Sequence, residues 1–386
     1  MIPLSATSFK GNELKYVTEC IESGWVSSAG PFVGRFEDEI SRYLDIPSAV
    51  ACVNGTAALH TSLLLCGVLP GEEVIVPTLT FIAPINTVRY VGAEPVFMDC
   101  DDALNLDPEK LSDFLEKDCD KADGGVRHRR TGRLIRAIIV VHVFGNLADL
   151  SSLMELADRY GLQVIEDATE SLGSYYNNYQ GKKRQAGTIG RLGCLSFNGN
   201  KIITCGGGGM IVTQEKELAD RARHLTTQAK QDHRYYRHDL VGYNYRLTGL
   251  QAALGVAQME QLDSFVKIKR LNFQKYREAL SDCAGVSLID EPSYSVSNFW
   301  HYALNVDHPR LTRDDLSDHL KEKGVETRPV WALTHTQKPY QKEFAYRIEK
   351  AKRFEKQILN IPCSVTLTDE EIQKVSSLIK DFCGKN

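Results

Sequence analysis

Seven short β-rich runs punctuate the first two-thirds of the chain: AVACVN (49–54), EEVIVP (72–77), EPVFMD (94–99), IRAIIVVHVF (135–144), LQVIEDA (162–168), CLSFNG (194–199) and GMIVTQ (209–214). Helix-like segments lie between several of them, at Thr56–Cys66, Ala83–Val91, Pro108–Glu116 and Leu150–Tyr160. A strand followed by a helix returns to the sheet through a crossover. This alternation therefore predicts an α/β fold with a mostly parallel seven-stranded sheet buried on both faces. The polar stretch KDCDKADGGVRHRRTGR (117–133) reads as a surface insertion between a helix and the fourth strand.

After Leu250 the texture changes. QAALGVAQMEQLDSFVKIKRLNFQKYREALSDC (251–283) contains no proline and reads as one long amphipathic helix. It divides a large domain, residues 1–250 with the N-terminal segment, from a small α+β domain, residues 251–386. The small domain carries NFWHYALNV (298–306), a helix from Thr312 to Lys323 and a last helix from Asp369 to Phe382. Hydrophobic residues make up 42% of the 386 residues, enough for both domains to bury a core. A net charge of -4 argues against a nucleic-acid partner. The longest apolar run, near Ala137–Val141, is strand-sized, so no membrane span is expected. The N-terminal MIPLSATSFKGNELKYV has no signal-peptide core. Ten cysteines without CxxC spacing suit small buried side chains in a reducing compartment. The expectation is a soluble cytoplasmic protein with no structural disulfide and no metal site.

Within LSFNGNKIITCGGGGM (195–210), Lys201 stands alone between an apolar run and four glycines. A lysine beside a carbonyl cofactor in a partly desolvated pocket becomes a Schiff-base nucleophile. Pyridoxal 5'-phosphate (PLP) asks for more: an anion at its pyridine nitrogen, backbone N–H groups and a hydroxyl at its phosphate, and a flat group on its ring. Asp167 ends the strand LQVIED, at the edge where open α/β sheets bind ligands. Gly55 and Thr56 open a helix after AVACVN. Ser196 precedes the lysine by five residues, and Phe81 follows EEVIVP. The glycines 206–209 let backbone pass close by. Singly, each has an ordinary reading: a surface lysine, a helix cap, a core phenylalanine, a turn. Their weight lies in occurring together in a workable order.

At these residues the chain resembles the DegT-type family of PLP-dependent sugar nucleotide aminotransferases, which have the aspartate aminotransferase (type I) fold. The matching segments are SGWVSSAGPFVGRFE (23–37), NGTAALH (54–60), PTLTFIAP (77–84), VHVFGN (141–146), EDATESLGS (166–174), SFNGNKIITCGGGG (196–209) and GYNYRLTGLQAALG (242–255). The resemblance implies that Lys201 is the Schiff-base lysine and that Asp167 pairs with the pyridine nitrogen. It implies that Gly55, Thr56 and Ser196 bind the phosphate and that Phe81 stacks on the ring. Asn244 would reach the phosphate in the neighbouring subunit, which implies a homodimer with composite active sites. Two positions depart from the family pattern. Gly207 replaces a frequent glutamate after the lysine, and Glu170 stands where Gln or His is frequent, near the cofactor's phenolic oxygen.

The implied reaction is ping-pong transfer of an amino group from L-glutamate to a nucleotide-linked keto sugar. SFNGNKIIT with GGGG resembles the branch that aminates C4 of UDP-4-keto-6-deoxy-N-acetylglucosamine on routes to bacillosamine or legionaminic acid. A GDP-linked 4-keto-6-deoxy sugar of the perosamine type is the alternative. Candidates for the substrate pocket are Trp25 and Ser27 in GWVSSAG, Arg237 and His238 in HRYYRHD (233–239), Arg328 in ETRPVW, and His335. Dehydratase relatives replace the lysine, which Lys201 argues against. A non-catalytic PLP-fold binding protein, and a desulfurase using Cys205, are the remaining readings.

Overall fold

The computed structural model describes residues 1–232 and 234–384. All seven runs are strands of one sheet, at Ser48–Cys52, Glu73–Pro77, Glu94–Met98, Leu134–Val141, Gln163–Asp167, Leu192–Ser196 and Gly209–Thr213. The four pairings from Leu192–Ser196 across Gln163–Asp167, Leu134–Val141 and Glu73–Pro77 to Glu94–Met98 are parallel. Gly209–Thr213 runs antiparallel between Ser48–Cys52 and Leu192–Ser196. Two antiparallel steps restore the common direction, so the carboxyl ends of six strands meet at one edge. Glu73–Pro77 and Gly209–Thr213 are buried at every residue. That is the mark of strands covered on both faces.

The sheet has ten strands rather than seven. The stretch read as a surface insertion forms a hairpin, Cys119–Ala122 with Gly125–His128, that pairs onto Leu134–Val141. Its turn carries Asp123–Gly124, with Gly124 at φ 71°, the residue type that a tight hairpin needs. Val126 and His128 point inward, and buried His128 meets Glu73 at 2.8 Å. The tenth strand, Ala345–Tyr346, comes from the C-terminal part and lies parallel to Glu94–Met98.

The stretch 251–283 forms two helices, Gly249–Met259 and Leu262–Ala279, not one. The break has a tertiary cause. Glu260 accepts hydrogen bonds from Asn12 Nδ2 and Tyr16 Oη at 2.6 Å each, and Gln261 gives 2.6 Å to Glu13. The first helix is capped by Thr248 and Gln251 reciprocally. The second packs Phe273 and Tyr276 into a core with Phe299, Tyr302, Leu316, Leu359 and Ile379. Ile2 belongs to that core and bridges to Val325. Among the described residues no helix is long and apolar enough to cross a membrane.

Asp99 and Asp101 organise the sheet's far corner. Fully buried Asp99 accepts N–H bonds from Glu349 (2.8 Å), Lys350 (3.0 Å) and Ala351 (2.8 Å), capping the helix Lys350–Gln357 from outside. Asp101 accepts from the N–H groups of Ala103 and Asn105 at 2.9 Å each. Burial outweighs those bonds and pushes its carboxyl up to about 6. The folded state thus holds this proton more tightly than the unfolded chain. The stability it contributes is complete below about pH 4 and is lost as pH rises through about 6. Asp101→Asn keeps the acceptor and removes the charge. It should be on the order of 1–3 kcal/mol more stable than wild type at pH 8, with the gap closing by about pH 4, as read by denaturant unfolding at both values.

Candidate active site

A cavity of about 380 Å³ opens at the carboxyl edge of the sheet. Lys201, Asp167, Glu170, Gly55, Thr56 and Ser196 all line it. Residues more than a hundred positions apart meet there because parallel strands deliver their ends to one edge.

Lys201 sits on the loop between Leu192–Ser196 and Gly209–Thr213. The loop is tied by Cys205 N–H to Phe197 O (2.9 Å) and Lys201 N–H to Asn198 O (3.0 Å). Gly206 at φ 73° and Gly208 at φ 118° turn the chain back, a course that side chains resist. Gly209 then passes beside the first strand's end, where a Cβ would stand 2.7 Å from the Gly55 nitrogen. At Gly207 a Cβ would meet only the movable end of Gln251, Nε2 at 2.9 Å, so the backbone there does not itself demand the glycine that departs from the family pattern. The Lys201 Nζ lies 4.1 Å from the centre of the Trp300 ring and 3.4 Å from Glu170 Oε1.

Asp167 is 3% exposed. Burial pushes its carboxyl upward, while hydrogen bonds from Thr169 and the positive charge of Lys201 pull it back. Strand alternation puts Glu166 on the opposite face. There it accepts from His142 Nε2 (2.9 Å), Gly187 N–H (2.8 Å) and Ile189 N–H (2.7 Å), fixing the strand end that carries Asp167. Glu170, 5% exposed, accepts from Phe144 N–H at 2.9 Å. Phe144 holds a left-handed φ of 57°. Burial is also the largest influence on Glu170 and raises it toward the neutral acid, with Lys201 opposing.

The helix Gly55–Leu65 points its start into the cavity. Asn54 caps it by accepting from Ala57 N–H at 2.7 Å. The N–H groups of Gly55 and Thr56 have no acceptor within the helix. A Cβ at Gly55 would come within 3.0 Å of both Ser196 Cβ and Thr169 Cγ2, so glycine lets the helix start press against Ser196. Phe81, 54% exposed, flanks the mouth. The residues present fit PLP: a buried anion, a lysine, an anion-binding helix start with a hydroxyl, and an aromatic face.

Of the substrate candidates, Arg328 lines the cavity. Trp25 is 52% exposed outside it, and the carbonyl of Ser27 accepts from Gly249 N–H at 2.6 Å. Arg237 and His238 lie exposed on a hairpin, where His238 Nδ1 meets Gln228 O at 2.7 Å. His233 lies outside the described residues. Asn244 is exposed and accepts from Arg246 Nε at 3.4 Å. His335 turns away from the cavity to Thr78 Oγ1 at 2.6 Å. Cys205 is buried against the helix of Gly255, where burial pushes its thiol up, as suits a packing residue. Sequence reasoning missed Trp300 and Trp331, which also line the cavity. Trp331 packs on Phe144 with ring centres 4.8 Å apart. Trp331 stands three positions after the candidate Arg328 in RPVW, whereas Trp300 in FWHY has no candidate beside it.

Residues 7–380 match the DegT/DnrJ/EryC1/StrS aminotransferase family. The chain is 36% identical over 381 residues to the GDP-perosamine synthase of Escherichia coli O157:H7, covering 99% of this chain and 98% of that protein. It is 37% identical over 379 residues to the GDP-perosamine synthase of Caulobacter vibrioides, covering 97% and 96%. The crystal structure of a DegT DnrJ EryC1 StrS aminotransferase from Brucella abortus superposes with a TM-score of 0.88 at 29% identity, covering 97% of this chain and 95% of that one. With a matching fold and near full-length likeness, this chain belongs to the DegT/DnrJ/EryC1/StrS aminotransferase family and is a PLP-dependent sugar-nucleotide aminotransferase.

Proposed function

We propose that the protein moves the amino group of L-glutamate to C4 of a nucleotide-linked 4-keto-6-deoxyhexose. The observation that carries this is the meeting of Lys201, Asp167 and the start of the helix Gly55–Leu65 in one cavity. PLP supplies, when bound, an aldehyde carbon that takes up amines and a ring that accepts electrons. Gly55, Thr56 and Ser196 would hold its phosphate, Phe81 its ring face, and Asp167 the proton on its nitrogen. A buried carboxylate suits that task because its negative charge has little water to screen it. Lys201 Nζ would carry the cofactor and then take the proton from the donor's Cα, acting as base and afterwards as acid. Glu170, drawn toward its neutral form, would offer a proton rather than a second negative charge beside Lys201. The exposed Asn244 and the hairpin at Arg237 and His238 are read as contributions to a second subunit's site in a homodimer.

The GDP-linked sugar is favoured by the two perosamine synthases at 36% and 37% identity. UDP-4-keto-6-deoxy-N-acetylglucosamine is the second reading, supported by SFNGNKIIT and the glycine run. Arg328 and the two tryptophans suit a phosphate and a sugar ring in either case. Purified enzyme given L-glutamate and each 4-keto sugar nucleotide in turn should release a 4-amino sugar from one of them, detected by mass spectrometry. GDP-sugar turnover at least about tenfold above the UDP-sugar, about 1.4 kcal/mol of discrimination, is expected; the reverse order would overturn the GDP reading. Lys201→Arg should lower turnover to background in the same assay, and unchanged turnover would remove Lys201 from the chemistry.

A further inference from the structure

A second lysine stands behind the first. Lys269, on the helix Leu262–Ala279, is 3% exposed and makes no ion pair among the described residues. Its ammonium is held by two main-chain carbonyls, Trp300 O at 2.9 Å and Cys363 O at 2.6 Å. A buried cation without an anion costs several kcal/mol, and a hydrophobic side chain of similar length would pack the same space without that cost. What the cation grips explains its place. Trp300 is the residue whose ring lies 4.1 Å from Lys201 Nζ, and its Nε1–H donates 2.7 Å to the carbonyl of Asn200, the residue before Lys201. Its own N–H is fixed by Asn298 Oδ1 at 2.9 Å. Lys269 and Lys201 border the same small cavity of about 20 Å³, room for one water molecule.

We propose that Lys269 is a positioning residue for the transamination, holding Trp300 so that its indole fixes the rotamer and loop of Lys201. The inference rests on Lys201 carrying the cofactor. That reading fails separately, if borohydride reduction and peptide mapping attach PLP to another lysine. Lys269 is tested with PLP-loaded enzyme carrying Lys269→Met, Trp300→Phe, both changes, or Lys269→Arg. Two quantities are read: the visible circular dichroism of the bound cofactor, and the single-turnover rate constant with saturating L-glutamate. Lys269→Met should alter the ellipticity and slow the rate constant on the order of 10–100-fold, as misplaced reacting groups do. The half-saturating glutamate concentration should stay within about twofold of wild type, and Lys269→Arg should recover most of the rate. In the Trp300→Phe background, Lys269→Met should cost less than about threefold, because both changes break one linkage. Wild-type dichroism and rate in Lys269→Met, or losses that multiply in full across the cycle, would overturn the proposal. Should Lys269→Met not fold, Lys269→Gln, which keeps two N–H donors without the charge, enters the same cycle and is judged by the same two outcomes.

Discussion

A carboxylate buried at the end of a central strand has to meet a cation or give up its charge. Asp167 is that group, and much of the molecule follows from accommodating it. Burial raises it, and only Thr169 donors and nearby positive charge draw it down. Lys201 is the cation the chain provides, and the protonated ring nitrogen of bound PLP is the cation we propose for it. The parallel pairings place Asp167 level with the ends of its neighbours, while Glu166 on the other face locks the strand through His142 and a run of N–H groups. The glycines after Lys201 allow the loop to return beside Asn54 and Gly55, joining the anion-binding helix start to the lysine. Chemistry at one edge therefore depends on backbone packing several residues away.

Three groups share the lysine's surroundings: Trp300, Glu170 and, one layer back, Lys269. Glu170 is the departure from the family pattern that the geometry accounts for best. It is clamped by Phe144 N–H, close to Lys201, and pushed by burial toward the form that donates a proton. A neutral carboxyl there removes the repulsion that a second carboxylate would bring. The strained Phe144 backbone is the local cost of that clamp.

The seven central strands and the arrival of Asp167 and Lys201 at one edge of the sheet were legible in the sequence for one reason. Strands covered on both faces are short apolar runs, and their ends mark the ligand edge. Other features leave weaker traces. The hairpin at 119–128 is polar on one face, so its pattern resembles a loop despite the Asp-Gly turn. The break at Glu260 has no proline or glycine to announce it; bonds to Asn12 and Tyr16, some 245 positions away, produce it. Trp300 and Trp331 reach the cavity from the C-terminal part, a juxtaposition that no local spacing encodes. Trp25, Arg237, His238 and Asn244, singled out from sequence, stand outside the cavity.

The most direct measurement is the visible spectrum of the PLP-reconstituted protein before and after adding L-glutamate alone. The expected result is a visible band from lysine-bound cofactor that decays into the near ultraviolet, with one 2-oxoglutarate released per site and no sugar present. A visible band that glutamate leaves unchanged, or no such band at all, would contradict an amino-transferring site built on Lys201 and Asp167.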